Sequence, residues 1–267
     1  MPLTIKACVK ALQQKNKKAL VAYLTAGDPH LQFTHDLILE LENTGVDILE
    51  LGVPFNYPVG DGPIIQRSAR RALESGTSLS VILPFVARLR QDGVEMPIVL
   101  FSYHNPIYAY GYEKLANESA AAGLSAILVV DLPPEESAEY CGYFNGAGLD
   151  TIFLATPTTS TDRLELVERA SSGFCYYVSR AGVTGGKHDL SDSLAAELSH
   201  VKKFISIPVF VGFGIRTADH ARTIGKIADG VIVGSAFVES IELASSDAEA
   251  KKKIVALASA FRDALDS

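Results

Sequence analysis

Eight short runs of apolar, largely β-branched residues recur along the chain, and their rhythm limits the folds open to it. They are Ala19–Leu24, Asp47–Leu51, Pro97–Phe101, Ser125–Val129, Thr151–Leu154, Phe174–Val178, Ile207–Val211 and Gly230–Val233. Successive starts lie 28, 50, 28, 26, 23, 33 and 23 residues apart. Helical spacing fills the intervals: Phe33, Leu37 and Leu41 sit four apart, and Leu164, Val167 and Ala170 three apart. Gly45, Gly93, Gly123, Gly148 and Gly173 fall shortly before several runs, where a glycine stops the preceding helix. Runs apolar on both faces that alternate with helices are parallel βαβ units. Eight of them in about 250 residues predict a (β/α)8 TIM barrel. A doubly wound open sheet competes, but it carries fewer strands and a glycine fingerprint after the first. Here the first run leads into Thr25-Ala26-Gly27-Asp28-Pro29, which is no such fingerprint.

Two helices fall outside the eightfold count. Ile5, Cys8, Val9 and Leu12 follow an i, i+3, i+4, i+7 pattern and predict an extra N-terminal helix against the barrel floor. Ile254, Leu257, Phe261 and Leu265 form a similar stripe near the end. With no linker or low-complexity stretch between them, the expectation is a single TIM-barrel domain over residues 1–267. The formal net charge is −7, from 24 basic and 31 acidic residues. That balance argues against a general nucleic-acid binder, which needs a basic face. No apolar stretch reaches the ~18 residues of a membrane span, and the first residues lack the apolar core of a signal peptide. Cys8, Cys141 and Cys175 fit neither a disulfide framework nor a zinc pattern, so buried free thiols in a reducing cytoplasm are expected. The six histidines show no metal-ligand spacing, and surface positions are expected for them.

In a barrel the chemistry sits at the carboxyl ends of the strands and in the loops after them. Glu50 stands on the second run, on the same face as Ile48 and Gly52. A carboxylate in an apolar strand is either ion-paired to a buried Lys or Arg, or raised in pKa and suited to acid–base work. Asp61, between two glycines, reads by itself as a turn former. Eleven positions after Glu50 in one strand–loop unit, it also reads as a second carboxylate, and two such groups can divide acid and base roles. The loop that carries it, 52–63, is rich in Gly and Pro and longer than a connection needs. Gly212-Phe213-Gly214 after the seventh run and Gly234-Ser235-Ala236 after the eighth offer backbone N–H groups to a phosphate, in the usual phosphate place of this fold. Gly185-Gly186 adds a further N–H, within a lid-like segment, 179–187. Tyr23, Phe101, Tyr103 and Tyr177 either line an aromatic pocket or belong to the core.

Several stretches resemble the tryptophan synthase α subunit family: Leu24-Thr25-Ala26-Gly27-Asp28-Pro29, Leu49-Glu50-Leu51-Gly52-Val53-Pro54-Phe55, Asp61-Gly62-Pro63-Ile64-Ile65-Gln66, Tyr103-His104-Asn105-Pro106, Asp131-Leu132-Pro133-Pro134-Glu135-Glu136, Ser179-Arg180-Ala181-Gly182-Val183-Thr184-Gly185 and Val211-Gly212-Phe213-Gly214-Ile215. They span nearly the whole chain in family order. The resemblance implies retro-aldol cleavage of indole-3-glycerol phosphate to indole and glyceraldehyde 3-phosphate. It assigns Glu50 as the acid–base and Asp61 as the carboxylate on the indole N–H. It puts Thr184 in the lid, closing over Asp61. Gly185, Phe213, Gly214, Gly234 and Ser235 match the phosphate site, and Tyr23, Phe101, Leu128 and Tyr177 match positions around the indole. The resemblance further implies a β subunit that carries pyridoxal phosphate, an αββα heterotetramer with indole passed internally, and no pyridoxal phosphate in this chain.

Three departures bear on that picture. Asn56-Tyr57 replaces the Ser-Asp usual in the family, whose acid faces the partner and carries signalling between the sites. Gly60 stands for an alanine, which is expected to loosen the Asp61 loop. Phe101 stands for a smaller Leu or Met, which is expected to narrow the indole pocket. Two other readings follow from the residues: an α subunit of weak catalysis that chiefly activates its partner, and another phosphate-binding barrel such as an isomerase.

Overall fold

The computed structural model describes residues 4–179, 189–212 and 214–267. The elements are α1 (Ile5–Gln14), β1 (Ala19–Thr25), α2 (Leu31–Asn43), β2 (Ile48–Gly52), α3 (Pro63–Glu74), α4 (Leu79–Gln91), β3 (Ile98–Ser102), α5 (His104–Tyr110), α6 (Tyr112–Ala122), β4 (Ala126–Val129), α7 (Ala138–Gly146), β5 (Asp150–Ala155), α8 (Thr161–Ala170), β6 (Cys175–Val178), α9 (Asp189–Val201), β7 (Val209–Gly212), α10 (Ala218–Gly225), β8 (Gly230–Val233), α11 (Ser235–Glu242) and α12 (Asp247–Asp266). The strands close as β1-β2-β3-β4-β5-β6-β7-β8, parallel throughout, with β8 returning to β1. This is the TIM barrel that the eight apolar runs predict. The 50-residue interval is long because it holds two helices, α3 and α4, besides the Asp61 loop.

Strand alternation sorts the side chains into two layers. Leu20, Ala22, Leu24, Leu49, Leu51, Leu100 and Ile127 face outward and pack under the helices. Val21, Ile48, Val99, Ala126, Ile152, Phe174, Phe210 and Ile232 fill the barrel interior. Ile5, Cys8, Val9 and Leu12 join that interior group, so α1 closes the floor as its spacing predicts. Thr4 caps α1 by accepting from the Ala7 N–H at 3.1 Å. At the same end, Arg262 of α12 donates to Asp47 Oδ2 at 2.9 Å and to the Lys18 carbonyl at 3.0 Å. These bonds tie the last helix to the entries of β1 and β2.

Gly45, Gly93, Gly123 and Gly148 adopt φ between +82° and +95° at helix ends. Gly173 does not; it is a close approach, where an added Cβ would sit 3.3 Å from both Ile5 Cδ1 and Asp150 Cβ. Among the thiols, Cys8 and Cys175 are buried, while Cys141 is only half-buried. His35 departs from the surface expectation: it is buried, and its Nε2 lies 2.8 Å from Asp92 Oδ2.

Candidate active site

The carboxyl ends of the strands open onto a cavity of about 240 Å3. Its described wall holds Glu50 from β2, Asp61 and the start of α3, Phe101 from β3, Tyr23 from β1 and Tyr176 from β6. Gly214, Ile215 and Arg216 after β7, and Gly234 and Ser235 after β8, complete it. Thr184, Gly185 and Phe213, with the lid-like segment over 180–187, lie outside the described residues.

Glu50 is fully buried, and neither carboxyl oxygen has a hydrogen-bond partner among the described residues. Among the described residues no Lys or Arg pairs with it. Burial alone pushes its pKa up to about 8, so the resting side chain is a neutral acid at pH 7. A carboxyl group left unpaired in such a place costs stability, and a cavity beside it is where a ligand would supply the missing partner.

Asp61 is positioned from another strand. Tyr103, at the end of β3, donates its hydroxyl to Asp61 Oδ2 at 3.0 Å and accepts from the Gly60 N–H at 2.9 Å. The Tyr103 ring stacks on Phe55, with centroids 5.4 Å apart. Burial raises the Asp61 pKa to about 6, and the Tyr103 hydrogen bond opposes that rise. The Gly60 N–H is thus held by the Tyr103 hydroxyl. An alanine Cβ there would approach Tyr103 Oη to 3.2 Å and Val130 Cγ1 to 3.3 Å.

Two inward-facing glycines make room for aromatic rings beside Glu50. A Cβ on Gly52 would fall 2.3 Å from Tyr23 Oη, and one on Gly212 would fall 2.2 Å from Tyr176 Oη. Burial first, then the nearby acids, raise the pKa of both phenols, so they stay protonated. Phe101 meets the Tyr23 ring edge-on at 5.2 Å, which places the larger residue in the wall of the slot as anticipated.

Two aromatic-pocket assignments need correction. Tyr177 does not face the cavity: on β6 it shares the outward side with Cys175, is fully buried under the helices, and donates to Glu197 Oε2 at 2.8 Å. Its neighbour Tyr176 takes the inward place, as alternation from the interior Phe174 could have shown. Leu128 does face inward, but in the buried interior layer on which Phe101 packs rather than in the described cavity wall. Ile64, Ile65, Ile232 and Arg216 were not anticipated. Ile64 and Ile65 come from the first turn of α3, and no periodic signal distinguishes them from core.

A closed parallel barrel with an unpaired acid and a second carboxylate in one cavity defines the chain as a barrel enzyme of the acid–base type. Its phosphate-type turns after β7 and β8 line the same cavity. The family described as "Tryptophan synthase alpha chain" matches residues 9–266, and the chain belongs to that family. The tryptophan synthase alpha chain of Geobacter sp. (strain M21) is 51% identical over 232 residues, covering 87% of this chain and 86% of its own. That of Marinobacter nauticus is 44% identical, with 98% of each chain covered. Among solved structures, tryptophan synthase subunit alpha from Legionella pneumophila str. Paris superposes with a TM-score of 0.91 at 37% identity, covering 98% of both chains. The ligand-free tryptophan synthase from M. tuberculosis gives 0.88 at 31%, covering 98% of this chain and 99% of that one. Among the described residues no cluster of three or more His, Cys, Asp or Glu could hold a metal ion, and no helix is long and apolar enough to cross a membrane.

Proposed function

We propose that this chain cleaves indole-3-glycerol phosphate to indole and glyceraldehyde 3-phosphate, with Glu50 as the acid–base and Asp61 as the charge-stabilising carboxylate. The observation that carries the residue roles is the unpaired, fully buried Glu50 in one cavity with Asp61. Neutral Glu50 gives its proton to C3 of the indole. The ring loses aromaticity, and positive charge develops on the ring nitrogen. Asp61, ionised above about pH 6, accepts from that N–H and offsets the charge electrostatically. Glu50, now a carboxylate, takes the proton from the hydroxyl of the adjacent side-chain carbon. The carbon–carbon bond breaks as the O–H electron pair forms the aldehyde, and the bonding pair returns to the ring. Glu50 ends protonated, as it began. The Tyr23, Phe101 and Tyr176 rings give the indole an apolar slot. The N–H groups at Gly214, Gly234 and Ser235 hold the phosphate, joined by Gly185 and Phe213 of the family pattern, while Thr184 of that pattern closes over Asp61.

The partner is a β subunit. In this reading the assembly is an αββα heterotetramer in the cytoplasm, pyridoxal phosphate belongs to the partner, and indole passes between the two sites. Retention of both carboxylates weighs against a chain that only activates its partner. The test is release of glyceraldehyde 3-phosphate by the purified chain, with and without the β subunit. Turnover that E50Q reduces by about 10³-fold or more supports the reading. No turnover even with the partner would reject it.

A further inference from the structure

The described wall of the cavity carries a single cation. Arg216 lies in the loop after β7, two residues beyond Gly214, and lines the cavity together with Gly234 and Ser235. It is exposed at the rim, and none of the hydrogen bonds or ion pairs among the described residues engages its guanidinium. The carboxyl groups of that wall are Glu50, neutral at rest, and Asp61, whose ionised form opposes an anion. On the wall of the same cavity, α11 opens on Gly234 with no side-chain cap and no acidic residue in its first turn, leaving the Ser235 and Ala236 N–H groups without a partner inside the helix. The fully buried, unpartnered carboxyl of Glu50 in the same cavity independently marks it as a place completed by a ligand.

We propose that Arg216 is a binding and specificity residue for the phosphoryl end of the substrate. Its guanidinium donates to phosphate oxygens from the solvent side while the α11 amides donate from the other. The inference rests on the phosphate-site reading above and deepens it. Backbone amides alone supply partial charge, whereas an arginine fork supplies a full charge and paired donors matched to a dianion. It favours a charged tail over a neutral one in a site whose other ionisable groups are acids. The contact is the same before and during bond cleavage, so it belongs in KM and not in kcat.

The experiment compares wild type, R216A and R216K, each with the β partner, on indole-3-glycerol phosphate and on its dephosphorylated counterpart. R216A should raise KM for the phosphorylated substrate about tenfold, the lower range for a hydrogen bond to a charged group. Its kcat should stay unchanged, as should its KM for the dephosphorylated compound. R216K should fall between the two. Added salt should weaken the phosphate preference of wild type more than that of R216A. An R216A KM equal to wild type, while wild type still prefers the phosphorylated substrate, overturns the role of Arg216 and leaves the phosphate site standing. Equal losses on both substrates also overturn it. A wild type indifferent to the phosphate overturns the site and the inference together.

Discussion

Glu50, the acid–base of the proposed mechanism, also bears on stability. An unfolded glutamate titrates near 4.5, but in the barrel the value is about 8. Between those values the unfolded chain has released a proton that the folded chain still binds. Stability therefore falls as pH rises through that window, by about 1.4 kcal/mol for each pH unit crossed. E50Q removes the titration and keeps the shape. We expect it to match wild type below about pH 4 and to exceed it by several kcal/mol at pH 9, measured by urea denaturation. Equal slopes of stability against pH for the two proteins would show that Glu50 is not the buried acid described. The proposed mechanism needs Glu50 protonated and Asp61 ionised at the start, so activity should be bell-shaped, with limbs near 6 and 8.

At the scale of elements, the Asp61 loop takes its shape from a different strand. Tyr103 at the end of β3 holds Gly60 and Asp61 through one hydroxyl, and Phe55 stacks on its ring. Behind the loop, Arg71 of α3 makes two bonds of 2.7 Å to the buried Asp28, and Ser68 adds a third at 2.6 Å. Helix α3 is thereby locked while the loop ahead of it leans on Tyr103. Y103F should raise the Asp61 pKa, because the hydrogen bond that opposes burial is gone. The acid limb of kcat/KM should move above pH 6, with a loss of about tenfold at neutral pH. A Y103F profile superimposable on wild type would remove Tyr103 from the site. The pairing could not be read from sequence: the two residues are 42 positions apart, and each alone has an ordinary reading as core aromatic or turn former. What was legible was Glu50, because a lone acid in an apolar run is conspicuous.

At the scale of the whole molecule, three of the exposed apolar side chains stand close in sequence to the residues of the active face. Tyr57, Val59 and Tyr108 are 75%, 84% and 69% exposed, two on the Asp61 loop and one on α5 after Tyr103. Large apolar groups left in water beside a cavity suit contact with another chain. In the proposed assembly Tyr57, which replaces the acid that faces the partner in the family pattern, is expected to meet the β subunit without that acid's charge. Y57A should weaken association with the β subunit about tenfold, read by titrating the stimulation of cleavage, and leave the activity of the isolated chain unchanged. A mutant stimulated at the same partner concentration as wild type would place the contact elsewhere.

Sequence by itself determined the eightfold rhythm, the floor helix, and Glu50 with its strand face. Each depends on local periodicity, which the chain carries whatever it packs against. It also carried the family pattern of the loops. Only the tertiary structure decided that Tyr103 holds Asp61 and that Arg216 reaches the rim of the same cavity as Gly234. Those outcomes depend on strand register and barrel closure, which bring distant segments within a few ångströms and leave no mark on the spacing within any one of them.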